Sequence, residues 1–260
     1  MTMYGIVLEG GGTKGAYQVG TWKALSELGI EIKGAVGTSI GALSSALIIQ
    51  NDYDMAHEVW TNAEKSFFSD SDTEIFKKLA AYEFKSKDPV GLKKEMVTAF
   101  GIEGIDISPI QKLINSVVDE SVIRNSPKDF GLVTISLKRQ KGLELFKEDI
   151  PQGQLKDFIL ASCYLPMFKS IELNGDYYLD GVYYNKLPTN MLISKGYKKI
   201  IEILLYPKKD DDKKISVPSD VEIITIEPTE YLGKTLYSDS KQIHRNIELG
   251  YLNTMKAMKK

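Results

Sequence analysis

The sequence predicts an α/β fold in which parallel strands carry helices packed on their sheet. Three observations carry this reading. A short apolar run, Tyr4–Glu9, leads through a glycine cluster into a helical repeat over residues 16–28. A second run, Lys33–Thr38, leads through another glycine turn into a second helical stretch, Gly41–Gln50. Two β-branched runs, Lys199–Tyr206 and Val221–Ile226, read as further buried strands. Strand, loop, helix, strand, turn, helix is the order that makes neighbouring strands parallel.

In the first helix, Ala16, Val19, Trp22, Leu25 and Leu28 recur every third residue, and Gly29 stands where a C-terminal cap belongs. Residues 51–104 read as mostly helical but irregular, with aromatics in "KSFFSDSD" and "AAYEFKSKDPVGLKKE". Phe67, Phe68, Tyr82 and Phe84 make this segment a candidate helical cap whose apolar face meets a lipid surface. Ser108 and Pro109 open another helix. Phe130–Leu137 and Leu143–Phe146 read as neighbouring strands joined by "KRQKG", and Leu155–Cys163 as a helix stopped before Pro166. Phe168–Leu173 and Tyr177–Leu179 are expected to form a hairpin around "NGD", followed by a helix over 188–195. Within "PKKDDDKKISVPSD" the acidic triplet reads as a solvated connection rather than a metal loop, since no folded array of oxygen ligands accompanies it. Residues 239–258 form an amphipathic helix with Ile243, Ile247, Tyr251, Met255 and Met258 as its stripe. No repeat or linker divides the chain, so residues 1–260 are expected to form a single domain.

Composition narrows the function. Of 260 residues 43% are hydrophobic and 26% charged, as in ordinary globular proteins. The formal charge of −2 gives no electrostatic footing for nucleic acid. One cysteine, Cys163, excludes an internal disulfide and fits a reducing compartment. The start "MTMYGIVLEGGG" has no basic segment and too short an apolar run for a signal peptide. The longest nearly apolar stretch falls far short of the roughly 20 residues of a spanning helix. A cytoplasmic protein, able to touch a membrane surface peripherally, is the expectation.

Chemistry concentrates in two glycine turns. Gly10, Gly12 and Gly15 match G-x-G-x-x-G between a strand and a helix, the context of a dinucleotide-binding turn. The supporting acid is ambiguous, because Glu31 precedes the second strand rather than ending it. Lys14 is followed by Gly15, so the turn is not a Walker loop. Residues 37–41, "GTSIG", match G-x-S-x-G where a strand meets a helix. Gly37 and Gly41 leave room for a tight elbow that lifts the Ser39 hydroxyl clear of the sheet, beside a helix N-terminus. A nucleophilic serine needs a base. His57 lies in a helix, "DMAHEVW", and His244 lies on the C-terminal helix, whereas catalytic histidines of α/β-hydrolases ride on loops. Asp180, in "YYLDGVYYN", stands at a strand end beside Gly181 and projects toward a cleft, or else is a plain turn aspartate.

Together these residues resemble the patatin-like phospholipase family. The matches run in order: Gly10-Gly11-Gly12-Thr13-Lys14-Gly15, then Gly37-Thr38-Ser39-Ile40-Gly41, then "ASCYLPMF" at 161–168, then Asp180-Gly181. The resemblance implies a three-layer α/β/α sandwich with a mostly parallel sheet. It implies hydrolysis of phospholipids or other acyl-ester lipids through a Ser39–Asp180 dyad, with no metal and no cofactor. Backbone amides of the loop Gly10, Gly11, Gly12, Lys14 and Gly15 would form the oxyanion hole, with Lys14 adding charge or fixing the loop. Two departures stand out. Val182 replaces the small residue of D-G-G or D-G-A, and Tyr164 replaces a small residue in the proline block. Val182 keeps open a catalytically silent member that binds lipid or protein.

Overall fold

A computed structural model describes residues 3–62, 78, 82–83, 85–86, 88–101, 104–207 and 216–259. Phe67, Phe68 and Phe84 of the expected cap lie outside the described residues, as does the acidic triplet Asp210–Asp212.

Seven strands form one sheet: β1 (Tyr4–Leu8), β2 (Ile32–Thr38), β3 (Asp129–Ser136), β4 (Lys141–Phe146), β5 (Tyr178–Asp180), β6 (Lys199–Ile203) and β7 (Glu222–Ile226). Their order is β4-β3-β2-β1-β6-β7, with β5 pairing to β3. The four central pairings are parallel, and β4 and β5 meet β3 antiparallel. The helices are α1 (Ala16–Glu27), α2 (Ile40–Gln50), α3 (Tyr53–Thr61), α4 (Pro89–Phe100), α5 (Ser108–Val117), α6 (Glu120–Asn125), α7 (Leu155–Ser162), α8 (Thr189–Ser194) and α9 (Ser240–Ala257).

Both faces of the central strands are buried, which is why these strands read as continuous apolar runs. Ile6, Leu8, Ala35, Phe130, Leu132, Ile201 and Ile203 face one core, which they share with α1 and α2. Val7, Val36, Val133 and Ile200 face the other, where Met191 and Leu192 of α8 cover them. The alternation is the two-residue period of a strand, and it gives the sandwich its three layers. Among the described residues, aspartates start four α-helices. Asp52, Asp88, Asp119 and Asp239 each accept a backbone amide of the first turn, a cap worth about 1 kcal/mol apiece. Gly29, at φ 67°, ends α1 as expected.

Two expectations need correction. The hairpin over 168–179 shrinks to a tight turn with one bridge, Leu173 to Asp176, because Tyr178–Asp180 pairs with Thr134–Ser136 of β3 instead. The Asp176 carboxylate supports that pairing by accepting from Ser136 Oγ and from the Lys138 amide. The stripe of α9 is also rotated. Its buried residues are Ile243, Asn246, Leu249, Gly250 and Thr254, while Tyr251, Met255 and Met258 are only half-buried. The cause is a close crossing with α1: a Cβ on Gly20 would strike the Ile247 carbonyl, and one on Gly250 the Tyr17 carbonyl. Small residues, not large apolar ones, set that interface.

Candidate active site

In a parallel sheet the loops that follow β1 and β2 share one edge. Ser39 stands between β2 and α2 at φ 56°, ψ −125°. An L-residue reaches that region only at a cost of about 1–3 kcal/mol, and such strain persists where the surroundings over-determine it. Here they do. A Cβ on Gly37 would land on the Gly41 carbonyl, and one on Gly41 on the Leu8 carbonyl. The Ser39 amide donates to Ser162 Oγ at 2.8 Å, and Ser162 Oγ donates to the Val133 carbonyl at 2.6 Å.

The Ser39 hydroxyl donates to Asp180 Oδ2 at 2.6 Å. The other oxygen, Oδ1, accepts the Val182 amide at 2.9 Å, and the Asp180 amide donates to the Tyr164 carbonyl. Asp180 is fully buried and its carboxyl is pushed up to about 7. Burial is the cause, and the bonds from Ser39 and Val182 pull the other way. A carboxylate in that range is a far better base near neutrality than an exposed aspartate. Cys163 lines the same neighbourhood, and burial pushes its thiol up, so it stays protonated.

The first glycine turn lies across from Ser39. The Gly10 amide donates to the Lys186 carbonyl and the Thr13 amide to the Thr235 carbonyl. Between them, the amides of Gly11 and Gly12 meet no acceptor among the described residues. Both glycines line a cleft of about 440 Å³ together with Ser39, Asp180 and Val182. A narrow apolar slot of about 60 Å³ leads off from Ser39 between Ile40, Leu43, Trp60, Ile110 and Phe168. Gly15 starts the helix behind the turn and lies against the Trp60 ring.

Lys14 is buried in the turn and does not line the Ser39 cleft. Its ammonium donates to Thr235 Oγ1 at 2.6 Å and to the Tyr206 hydroxyl at 3.2 Å, and lies over the Tyr206 ring. Burial holds its pKa down at about 8, while the nearby Glu9 charge raises it. These contacts tie it to Thr235 and Tyr206, and it does not itself line the cleft.

The two departures take different places. Val182 holds Asp180 through its backbone amide, which any residue supplies, and its side chain packs over Gly10. Tyr164 does not line the cleft; its hydroxyl is occupied by the Lys169 carbonyl and the Ile171 amide. His244 is exposed on α9, with Nδ1 against the Ser240 carbonyl, and His57 is exposed on α3. Neither lines the cleft. Glu31 precedes β2 at the sheet edge opposite the glycine turns and pairs with Lys33, so it is no ribose ligand. Among the described residues no three metal-ligating side chains converge. Sequence reasoning missed Ser162, Lys186, Tyr206 and Thr235. Ser162 sits in a block it had quoted, whereas the other three carry no local motif.

The fold has solved counterparts. VipD from Legionella pneumophila superposes with a TM-score of 0.55 at 16% identity, over 98% of this chain and 66% of that one. Human GIVD cytosolic phospholipase A2, in complex with methyl gamma-linolenyl fluorophosphonate, gives 0.50 at 11% identity, over 99% of this chain and 58% of that one. The chain therefore spans about two thirds or less of these proteins' length. No curated protein matches it in sequence. The family model described as patatin-like phospholipase matches residues 6–193, which takes in both glycine turns, the proline block and the aspartate. By that match, over more than half its length, the chain belongs to the patatin-like phospholipase family.

Proposed function

We propose that the protein hydrolyses acyl esters of lipids, phospholipids foremost, with Ser39 as nucleophile and Asp180 as base. The observation that carries this is the 2.6 Å bond from Ser39 Oγ to a fully buried carboxylate at a strained elbow. Family membership supports lipid ester hydrolysis as the class of reaction.

In this mechanism Ser39 Oγ attacks the ester carbonyl as its proton passes to Asp180. The carbonyl oxygen becomes an oxyanion held by the Gly11 and Gly12 amides, which line the cleft and meet no other acceptor among the described residues. Collapse breaks the bond to the leaving alkoxide, which takes the proton from Asp180, and leaves an acyl-enzyme. Water then attacks the acyl carbon, Asp180 accepts its proton, and Ser39 is regenerated with release of the fatty acid. The apolar slot beside Ser39 is the proposed seat of the acyl chain. No step calls for a metal or cofactor. Residues 1–260 are the proposed catalytic unit, since β6 pairs with β1 in the same sheet. The proposed setting is the cytoplasm, with peripheral contact at a membrane surface and no nucleic-acid partner.

A fold counterpart is solved with a fluorophosphonate lipid, and that chemistry gives the test. A fluorophosphonate probe should label the wild type and leave Ser39→Ala unlabelled, and persistent labelling of Ser39→Ala would sink the nucleophile. Asp180→Asn should lose hydrolysis by at least about a hundredfold. Full activity in that variant would remove the aspartate from the mechanism.

A further inference from the structure

The glycine loop must aim two amides while carrying Gly12 at φ 59°. It has almost no side chain of its own to hold that shape. Upstream, the Lys186 carbonyl holds the Gly10 amide at 3.1 Å. Downstream, the loop is gripped by the segment Leu232–Ser238, which lies outside the stretch that the family model matches. The Thr235 carbonyl accepts the Thr13 amide at 2.9 Å. Thr13 Oγ1 donates to the Lys234 carbonyl at 2.8 Å and meets Ser238 Oγ at 2.9 Å. Thr235 Oγ1 accepts from Lys14 Nζ at 2.6 Å and meets the Tyr206 hydroxyl at 2.9 Å. The segment is itself anchored, since Asn246 Nδ2 of α9 donates to the Leu232 carbonyl at 2.9 Å.

Thr235 is more than packing. It lines the cleft beside Ser39 and Gly12, and its carbonyl occupies the space a Cβ on Gly12 would need. A buried ammonium must be met by acceptors, and Thr235 supplies the shortest bond that Lys14 makes. We infer that Thr235 is a positioning residue for the oxyanion loop, fixing the Gly11 and Gly12 amides through Thr13 and Lys14. The inference rests on the acyl-hydrolase reading above.

Thr235→Val keeps the shape and the backbone carbonyl and deletes only the hydroxyl. On a soluble monoacyl ester its kcat should fall about tenfold, with KM inside about twofold, because the loss falls on the transition state. Fluorophosphonate labelling should slow by the same factor, and Thr235→Ser should restore both. Wild-type kcat in Thr235→Val, or equal losses in the Val and Ser variants, would overturn the inference. Should Thr235→Val fail to fold, Tyr206→Phe removes the shared hydroxyl partner. It should lower kcat a few-fold, and an unchanged kcat there overturns the inference equally. Ser39→Ala runs in the same assay. Hydrolysis that survives in it strikes the acyl-hydrolase reading itself, whereas a silent Ser39→Ala beside a fully active Thr235→Val strikes only the role of Thr235.

Discussion

The two glycine turns face each other across one cleft, yet they are held in different ways. The elbow at 37–41 is wedged into the central sheet: Gly37 lies against Gly41, Gly41 against the Leu8 carbonyl of β1, and Ser162 accepts the Ser39 amide. The turn at 10–15 is held from outside, by Lys186 on one flank and by Thr235, Lys234 and Ser238 on the other. A turn wedged into the central sheet fails together with the fold, whereas a turn held by an outer loop can lose its shape while the fold survives.

The largest effect should come from Gly41→Ala. The new methyl meets the Leu8 carbonyl within the central strand β1, where neither backbone can give way. We expect a stability loss of about 4 kcal/mol or more in urea denaturation, and no probe labelling. Gly12→Ala is the counter-test. Its positive φ costs about 1–2 kcal/mol, and the new methyl meets the Thr235 carbonyl, in a loop outside the sheet. Labelling should slow about a hundredfold while most stability survives. If Gly12→Ala unfolds as Gly41→Ala does, the two turns are not different in kind.

Next comes pH. The folded Asp180 carboxyl titrates at about 7, above the unfolded value near 3.9. Between those values the folded state holds the extra proton, so its contribution to stability is full at low pH and is lost as pH rises toward 7. Activity needs the carboxylate and should rise over the same interval. Rate and stability therefore run in opposite directions from about pH 4 to pH 7, and Asp180→Asn should flatten its share of the stability slope. Parallel trends would place the titrating group elsewhere. The smallest effect is none: His244→Gln should leave kcat and its pH profile unchanged, because the ring is bound to its own helix.

The same contrast explains what could be read in the sequence. Gly37, Ser39, Gly41 and Asp180 announce themselves because their constraints are local and admit few residue types. The central strands were legible because burial on both faces makes them largely apolar runs, as in Ile6–Leu8 and Leu132–Val133. The 168–179 hairpin was misread because the Asn174-Gly175 turn is real while the partner of Tyr178–Asp180 lies over forty residues away in β3. The α9 face was misread because its contact with α1 is made by Gly20, Thr21 and Gly250, which carry no hydrophobic signal. Lys186 was invisible because it acts on the loop through its backbone carbonyl, which every residue owns, and Thr235 because its hydroxyl meets Lys14 from the far end of the chain.

The position of Leu232–Ser238 between β7 and α9 also has a consequence in time. Synthesis runs from the N-terminus, at about 5–20 residues per second. Ser39 and Asp180 leave the ribosome first, and the nucleophile and its base can meet while the outer grip on the glycine loop has yet to be made. That grip arrives with Thr235 and is anchored only when Asn246 and the small-residue face of α9 settle on α1. On the proposed mechanism a nascent chain would carry its Ser39–Asp180 pair before the oxyanion loop is gripped, so hydrolysis would start only once α9 is in place.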